Sequence, residues 1–394
     1  MGTPPLRLVL IGLDGLPAGP VLFRHRPLRL PGGRSISIVG TNRACIKRTA
    51  GVDSMVSVKT ATVANSADRP NAAEALARLA HDDMRRVDAL ILERLDSHVE
   101  LIPELARYLI EAGGKRVRPM ITVAAANMIG HSDIAPLKLA AAVEFIHTAT
   151  LLHDDVVDES GMRRGKAAAN LVWGNASSVL VGDFLFARSF SLMVEAGSMR
   201  ALGVLSDAAS TIAEGEVRQL SAVKDVGVSV ETYMQIIDAK TAALFAAAAQ
   251  VSGIVADRPA NEETALETYG RELGLAFQLV DDALDYSGAS AKLGKSTGDD
   301  FREGKVTLPV ALAIAAASTE ETAFWDRVIA RGEQVEGDFE RAISLVNTHG
   351  ALAATVTQAR NHARRAREAL AIFPANKWRT ALEDLADFVA DRAY

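Results

Sequence analysis

The chain has 394 residues, of which 49% are hydrophobic and 23% charged, and its formal net charge is −6. This acidity argues against a nucleic-acid partner, which would need a basic face. A single cysteine excludes a disulfide framework or a cysteine-based zinc site. The sequence has no purely apolar run of about 18 residues, so we expect no transmembrane segment. Alanine accounts for 68 residues, which favours an all-α protein.

Residues 1–54 differ from the rest of the chain. They carry eight Lys or Arg residues and two Asp, a net charge of +6, which leaves −12 for residues 55–394. They show no lasting helical or strand period, so we expect a disordered extension without evident function, upstream of a natural start at Met55. Asp14 and several Gly and Pro residues interrupt the apolar segment, which makes a secretory signal a poor fit. We expect a cytoplasmic protein; the alternative is an Arg-rich transit peptide and an organellar matrix location.

After a linker over residues 55–70, apolar residues recur with a helical period to the end of the chain. Gly and Pro mark the joints between these segments, and no segment with a strand period rivals them. We therefore predict one large helical domain over residues 71–394. The predicted helical segments are Ala72–Asp96, 120–128, 137–157, 176–200, 201–223, 231–256, 262–286, 305–317, 340–371 and 378–391.

Two acidic clusters share the spacing Asp-Asp-x-x-Asp, and each follows an apolar helical run. On a helix this spacing brings the first and third carboxylates to one face, about one turn apart. Such like charges repel unless a cation holds them, and Mg²⁺ prefers a few carboxylates with waters and phosphate oxygens. A solvated acidic helix end would explain either cluster alone, but two identical clusters favour a metal site. The residues are Asp154, Asp155 and Asp158, and Asp281, Asp282 and Asp285.

Basic residues recur near these clusters. Each one alone would be an ordinary surface charge, but together they supply the guanidinium and ammonium donors that phosphate groups need. With a magnesium site beside them, they predict a diphosphate substrate. His147 lies seven residues before Asp154 on the same helical face, where it is either a core residue or a donor to the diphosphate. The basic residues are Lys115, Arg116, Arg118, Arg163, Arg164, Lys240, Lys295 and Lys305.

At these residues the sequence resembles the trans-isoprenyl diphosphate synthases, the polyprenyl synthetase family. The resemblance covers nearly everything after residue 70. It implies a large antiparallel α-helical bundle with the active site in a central cavity, usually as a homodimer. The matching stretches are GGKRVRP from Gly113, HTATLLHDDVVDESGMRRG from His147, VGDFL from Val181, KT at Lys240, GLAFQLVDDALDY from Gly274 and GDDFREGKVTLP from Gly298.

The resemblance also implies roles for single residues. The six aspartates would hold Mg²⁺, roughly two or three ions per site, around the diphosphate of the allylic substrate. Residues matching those near the allylic substrate and its cation are Arg163, Lys240, Thr241 and Gln278, joined by Lys295 and Lys305. Residues matching those that hold isopentenyl diphosphate are Lys115, Arg118, His147 and Arg164.

The implied reaction is a prenyl transfer. Metal ions and cations stabilise the charge on the departing diphosphate, and the double bond of isopentenyl diphosphate attacks the allylic cation. Ala149 and Thr150, where members with short products carry aromatics, predict a long product of about eight to ten isoprene units, such as a ubiquinone side-chain precursor that passes to a membrane. The alternatives are a geranylgeranyl diphosphate synthase, a class I terpene cyclase and a non-catalytic partner subunit.

Overall fold

The computed structural model describes residues 72–111, 116–163, 165–287 and 298–392, and the backbone of four short strands before them. It divides the chain into two compact units, Met1–Asp68 and Arg69–Tyr394. In the first unit, β1 (Leu28–Arg29) pairs with β2 (Ser35–Ile36), and β3 (Ile38–Val39) pairs with β4 (Cys45–Ile46), both antiparallel. Apart from these strands, residues 1–54 lie outside the described residues, so their predicted disorder stays a prediction.

The second unit is helical, which confirms the all-α prediction; within its described residues the strands are β5 (Met162–Arg163) and β6 (Lys166–Ala167), an antiparallel hairpin. The helices are α1 (Ala72–Leu79), α2 (His81–Arg94), α3 (Leu101–Glu111), α4 (Val117–Met128), α5 (Ala135–Val157), α6 (Ala169–Trp173), α7 (Asn175–Glu195), α8 (Met199–Ala222), α9 (Val230–Ile237), α10 (Ala243–Val255), α11 (Ala260–Asp285), α12 (Asp299–Glu303), α13 (Leu308–Ala315), α14 (Thr319–Trp325), α15 (Asp338–Thr348), α16 (Ala351–Ala369) and α17 (Lys377–Asp391). Two π turns, Asp238–Ala242 and Asp326–Ala330, and a 3₁₀ turn, Leu370–Ile372, complete the unit.

Three of the predicted helices are divided. The first divides into α1 and α2 around Ala80, and the predicted helix over 340–371 divides into α15 and α16, where Gly350 adopts a left-handed φ of 65°. The predicted helix over 231–256 is interrupted by the π turn between α9 and α10. The helices α3, α6, α12 and α14 were not predicted. The start of α14 carries a recognisable signal, since Ser318 and Glu321 form a capping box.

The main hydrophobic core lies between the long central helices. Helix α5 packs along α7, α10 packs on α11, and α11 also contacts α16. Helices α5 and α10 are buried on most sides because alanine-rich, apolar segments can pack closely all round. A second core beneath residues 298–307 contains the buried aromatic side chains Tyr286, Phe301 and Trp325. The two acidic clusters therefore end two rigid, well-packed helices.

Two described helices are long and apolar enough, by length and composition, to cross a membrane. Most of the apolar window of α5 (78%) is buried, as expected of a core helix, whereas 39% of that of α7 is buried. A core helix passes the same test, so this is weak evidence for a membrane span. The expected absence of a transmembrane segment stays a prediction.

Candidate active site

The first acidic cluster lies at the carboxyl end of α5. Asp154 and Asp158 are one turn apart, and each faces a lysine from a distant part of the chain. The Nζ atom of Lys305 donates to Asp158 Oδ2 at 2.9 Å. The Nζ atom of Lys240 lies 3.9 Å from Asp154 Oδ2. These two carboxylates and two lysines form one patch of alternating charge.

Asp155 points elsewhere, because adjacent residues on a helix are rotated by about 100°. Its side chain is fully buried, and Oδ1 accepts from Nε of Arg163 at 2.8 Å and from the Nη2 of the same guanidinium. The side-chain amide of Asn170 donates to the Asp155 carbonyl at 3.0 Å. Asp155 thus fastens the β5–β6 hairpin and α6 to α5. Its Oδ2 atom is buried without a hydrogen-bond partner among the described residues.

The second acidic cluster lies at the carboxyl end of α11. Arg392 donates to Asp281 Oδ1 at 3.0 Å and stacks over an aromatic ring of the same helix. Asp282 accepts from the hydroxyl of Tyr233 at Oδ2 and from the Nε2 amide of Gln278 at Oδ1, the latter at 2.8 Å. The two adjacent aspartates therefore have different partners: Asp281 pairs with a cation, whereas both donors to Asp282 are neutral.

Asp285 connects the second cluster to the segment that carries Lys305. Its Oδ1 accepts from the backbone N–H of Gly298 at 2.8 Å, and its Oδ2 accepts from that of Asp300 at 3.2 Å. Both donors lie at the start of α12, where helical N–H groups lack partners within the helix. Asp285 therefore ties the first turn of α12 to the end of α11.

Lys240 and Thr241 lie on the π turn between α9 and α10. Such turns interrupt regular helical hydrogen bonding and are frequent at functional sites. Two glycines let neighbouring helices approach this turn: a Cβ at Gly215 of α8 would lie 2.8 Å from the backbone nitrogen of Lys240, and one at Gly274 of α11 would lie 2.7 Å from the Cα of Ala242. The turn is thus held between two helix backbones.

The side chains on this turn have specific partners. Lys240 Nζ donates to Glu216 Oε2 at 2.7 Å. The Thr241 hydroxyl donates to Gln278 Oε1 at 2.8 Å, and Gln278 in turn donates to Asp282. A continuous hydrogen-bonded chain therefore connects the π turn to the second acidic cluster.

These groups surround a cavity of about 130 Å³. Among the residues that line it are Lys240, Thr241, Gln278, Asp282, Asp300 and Lys305. Two of these residues, Lys240 and Lys305, also contact the first acidic cluster. The cavity is therefore lined by Asp282 of the second cluster and by two lysines that contact the first.

Burial disfavours the charged form of several carboxyl groups at this site. Burial raises the pKa of Asp154 to about 7, against the opposing charge of Lys240, and burial also raises the pKa of Asp282 to about 7. The pKa values of Asp285 and Asp300 are raised as well, mainly by burial. Within the described residues, no three acidic or imidazole side chains already surround a common metal position. An excess of buried carboxylate oxygens suits a hard divalent cation that brings further oxygen ligands with it.

A second basic group lies between α4 and α5. Arg118 Nη1 lies 3.2 Å from His147 Nε2, and the guanidinium stacks 4.3 Å from the centre of the Phe245 ring. Because arginine can only donate, His147 Nε2 accepts in this contact. The other predicted residues of this kind, Lys115 and Arg164, lie outside the described residues, as does Lys295.

Sequence reasoning missed two residues that contact the aspartates. Tyr233 lies seven residues before Lys240, two helical turns away, so its spacing to the Lys-Thr pair was an available signal. Arg392 is separated from Asp281 by 111 residues, and no local pattern connects them. Glu216, the acceptor for Lys240, was also not predicted.

Known proteins share much of this sequence and fold. The family model for polyprenyl synthetase matches residues 99–346. The chain is 48% identical over 319 residues to octaprenyl diphosphate synthase of Escherichia coli strain K12, covering 81% of this chain and 98% of that protein. A decaprenyl diphosphate synthase structure from Rhodobacter capsulatus is 53% identical with a TM-score of 0.79, covering 82% of this chain and 99% of that one.

A polyprenyl synthase structure from Caulobacter crescentus CB15, complexed with calcium and isoprenyl diphosphate, is 56% identical with a TM-score of 0.79. The match covers 83% of this chain and 100% of that one. The family match, the relatives and the shared fold lead to one conclusion. This chain belongs to the polyprenyl synthetase family.

Proposed function

We propose that the protein is a magnesium-dependent prenyltransferase that adds isopentenyl diphosphate repeatedly to an allylic diphosphate such as farnesyl diphosphate. Its product is a long-chain all-trans polyprenyl diphosphate, used as a ubiquinone or other quinone side chain. The observation that carries the proposal is the cavity lined by Asp282 of the second acidic cluster and by Lys240 and Lys305, which both contact the first cluster. Its relatives with long-chain names support the length of the product.

The carboxylates fit magnesium by their chemistry, since they are hard oxygen donors with excess buried charge. Asp154 and Asp158 would hold it at the first cluster, and Asp281 with Asp282 and Asp285 at the second. When bound, Mg²⁺ neutralises charge on a diphosphate leaving group. We propose two or three ions per site; that a relative's structure contains calcium together with isoprenyl diphosphate supports a divalent cation here.

The protein's own groups act on both substrates. Lys240 and Lys305, with Arg163 as a further predicted donor, would donate charge-assisted hydrogen bonds to the allylic diphosphate, and these bonds would strengthen as negative charge builds on its departing oxygens. The hydroxyl of Thr241 and the amide of Gln278 would present dipoles to the allylic cation. The released diphosphate would accept the proton lost on forming the new double bond.

Isopentenyl diphosphate would bind at the second basic group. Arg118 and His147 hold each other in place, with Lys115 and Arg164 as further predicted cations. Stacking on Phe245 orients the guanidinium plane of Arg118 and limits its rotation. A class I terpene cyclase has no need of such a second diphosphate site, and the family assignment also disfavours it.

We further propose that the enzyme is a homodimer formed through α7. Leu180 and Val194 on this helix are 67% and 65% exposed, although the helix is apolar enough to form a core. An apolar helix face of this kind is typical of a subunit interface. We expect sedimentation of a dimer, and Leu180→Glu with Val194→Glu should give monomers. Val335→Glu, at a 66% exposed position on a loop, is the control.

The central experiment is incubation with Mg²⁺, farnesyl diphosphate and labelled isopentenyl diphosphate, followed by chromatography of the chain length. We expect products of about eight to ten isoprene units from the wild type. Asp154→Ala and Asp281→Ala should each reduce turnover by at least about 100-fold while the fold is retained, because each removes a carboxylate that would hold metal. Near-normal turnover in both variants contradicts the site assignment. Absence of elongation favours a partner subunit, and a product of geranylgeranyl length contradicts the prediction of a long product from the small side chains of Ala149 and Thr150.

A further inference from the structure

Tyr233 is a buried residue of the cavity that no motif identifies. It lies on α9, is 3% exposed and lines the cavity beside Gln278 and Asp282. Its hydroxyl donates to Oδ2 of Asp282, which is itself 4% exposed. A phenol placed here supplies a hydrogen bond at the end of a rigid, buried ring.

The Asp282 carboxylate is held at both oxygens. Tyr233 donates to Oδ2, and Gln278 Nε2 donates to Oδ1 at 2.8 Å. The amide oxygen of Gln278 accepts from Thr241, which fixes the amide in the orientation that donates to Asp282. Rotating the carboxylate would break both bonds in a site with little water to replace them.

The donors of Asp282 are also neutral. Asp154, Asp158 and Asp281 each have a lysine or arginine partner, whereas no described cation forms an ion pair with Asp282. A lysine or arginine at position 233 would hold the carboxylate but cancel its charge. A tyrosine holds it and leaves the negative charge available to a cation in the cavity.

We propose that Tyr233 is a positioning residue that orients the Asp282 carboxylate for a divalent metal ion bound with diphosphate. The proposal rests on the function proposed above and adds a residue to it. Hydrogen-bonding partners of metal ligands typically change metal affinity by about 10- to 100-fold when they are removed. The same range is expected here.

Tyr233→Phe removes the hydroxyl and leaves the ring. Tyr269→Phe is a matched control, because Tyr269 is also fully buried and its hydroxyl donates to the Leu382 carbonyl at 2.9 Å in the main core. Both variants lose one buried hydrogen bond, so both should lower the melting temperature. Only Tyr233→Phe should weaken binding of Mg²⁺ with inorganic diphosphate, measured by calorimetry, by about 10-fold or more. It should raise the Mg²⁺ concentration for half-maximal turnover in the same proportion.

A double variant tests whether the effect passes through Asp282. In an Asp282→Asn background, Tyr233→Phe should leave metal affinity unchanged. If the single variant Tyr233→Phe fails to fold, the double variant can still be measured, because it contains no buried carboxylate that lacks a hydrogen-bond donor. Equal metal affinities of the wild type, Tyr233→Phe and Tyr269→Phe would overturn the proposal. So would an additional loss in the Asp282→Asn background.

The binding measurements separate this proposal from the proposed function. A wild type that binds Mg²⁺ and diphosphate but makes no polyprenyl product contradicts the function, while the comparison of the two tyrosine variants still decides the role of Tyr233. A wild type that binds neither ligand contradicts both.

Discussion

The contact of α8 with the π turn makes Gly215 a sensitive position. Gly203 lies on the same helix, and a Cβ there would meet nothing within 4 Å. The same substitution to alanine at these two positions therefore has opposite consequences. At Gly215 the new Cβ would lie 2.8 Å from the backbone nitrogen of Lys240 and 2.8 Å from the Cβ of Ala239.

The size of the effect follows from these distances. Ordinary contact begins at 3.4 Å, so α8 and the π turn must separate by about 0.6 Å. Overpacking of this kind costs about 1–3 kcal/mol of stability, whereas Gly203→Ala should stabilise the protein by about 0.5–1 kcal/mol through helix propensity. A displacement approaching 1 Å in a catalytic group can cost about 100-fold in rate. We therefore expect Gly215→Ala to lower kcat by about 10- to 100-fold.

The assay combines urea unfolding with steady-state elongation of farnesyl diphosphate. Gly203→Ala should retain the wild-type kcat and show a higher unfolding midpoint. Gly215→Ala should show a lower kcat and a lower unfolding midpoint than the wild type. Equal kcat values for the two variants would refute the reasoning, because they would mean that the position of the π turn does not limit the reaction.

Four further predictions concern charge and product length. Arg392→Gln should lower the free energy of unfolding by about 1–2 kcal/mol in urea titrations, since Asp281 loses a buried donor; an unchanged midpoint contradicts this. The pKa values of Asp154 and Asp282 are raised to about 7, so the folded protein without metal binds more protons than the unfolded chain. The stability of the metal-free protein should therefore fall as pH rises from about 4 to 7. Mg²⁺ binding at pH 6 should release protons from Asp154 and Asp282, and calorimetry in two buffers that gives equal heats argues against it. Ala149→Phe should shorten the product on chromatography, because an aromatic side chain before the first acidic cluster would block the growing chain; an unchanged length would contradict the prediction that small side chains here permit a long product.

Local spacing predicted the parts of the site that lie within one helix. Asp154 and Asp158 share a face of α5 because residues four apart always do on a helix. The same geometry explains why Asp155 differs, since its neighbouring position turns it toward Arg163 and the hairpin. The spacing therefore already indicated that Asp155 points in a different direction from Asp154 and Asp158, although all three were assigned to the metal from the sequence.

Contacts between distant segments could not be predicted in this way. Lys305 lies 147 residues from Asp158, and the family resemblance rather than any spacing suggested that they share a site. Tyr233 and Arg392 contact Asp282 and Asp281 only because α9 and α17 pack beside α11. That packing cannot be predicted from the spacing of residues in one sequence. The roles of Lys115, Arg164 and Lys295, and the cytoplasmic location, stay predictions.

The hydrogen bonds of Asp285 also connect the two acidic clusters. By binding the backbone N–H groups of Gly298 and Asp300, Asp285 fixes the first turn of α12 against the end of α11. Lys305 follows α12 directly in the chain and donates to Asp158 at the end of α5. A carboxylate of the second cluster therefore also helps to set the position of a cation at the first, so a change at one cluster should alter the other.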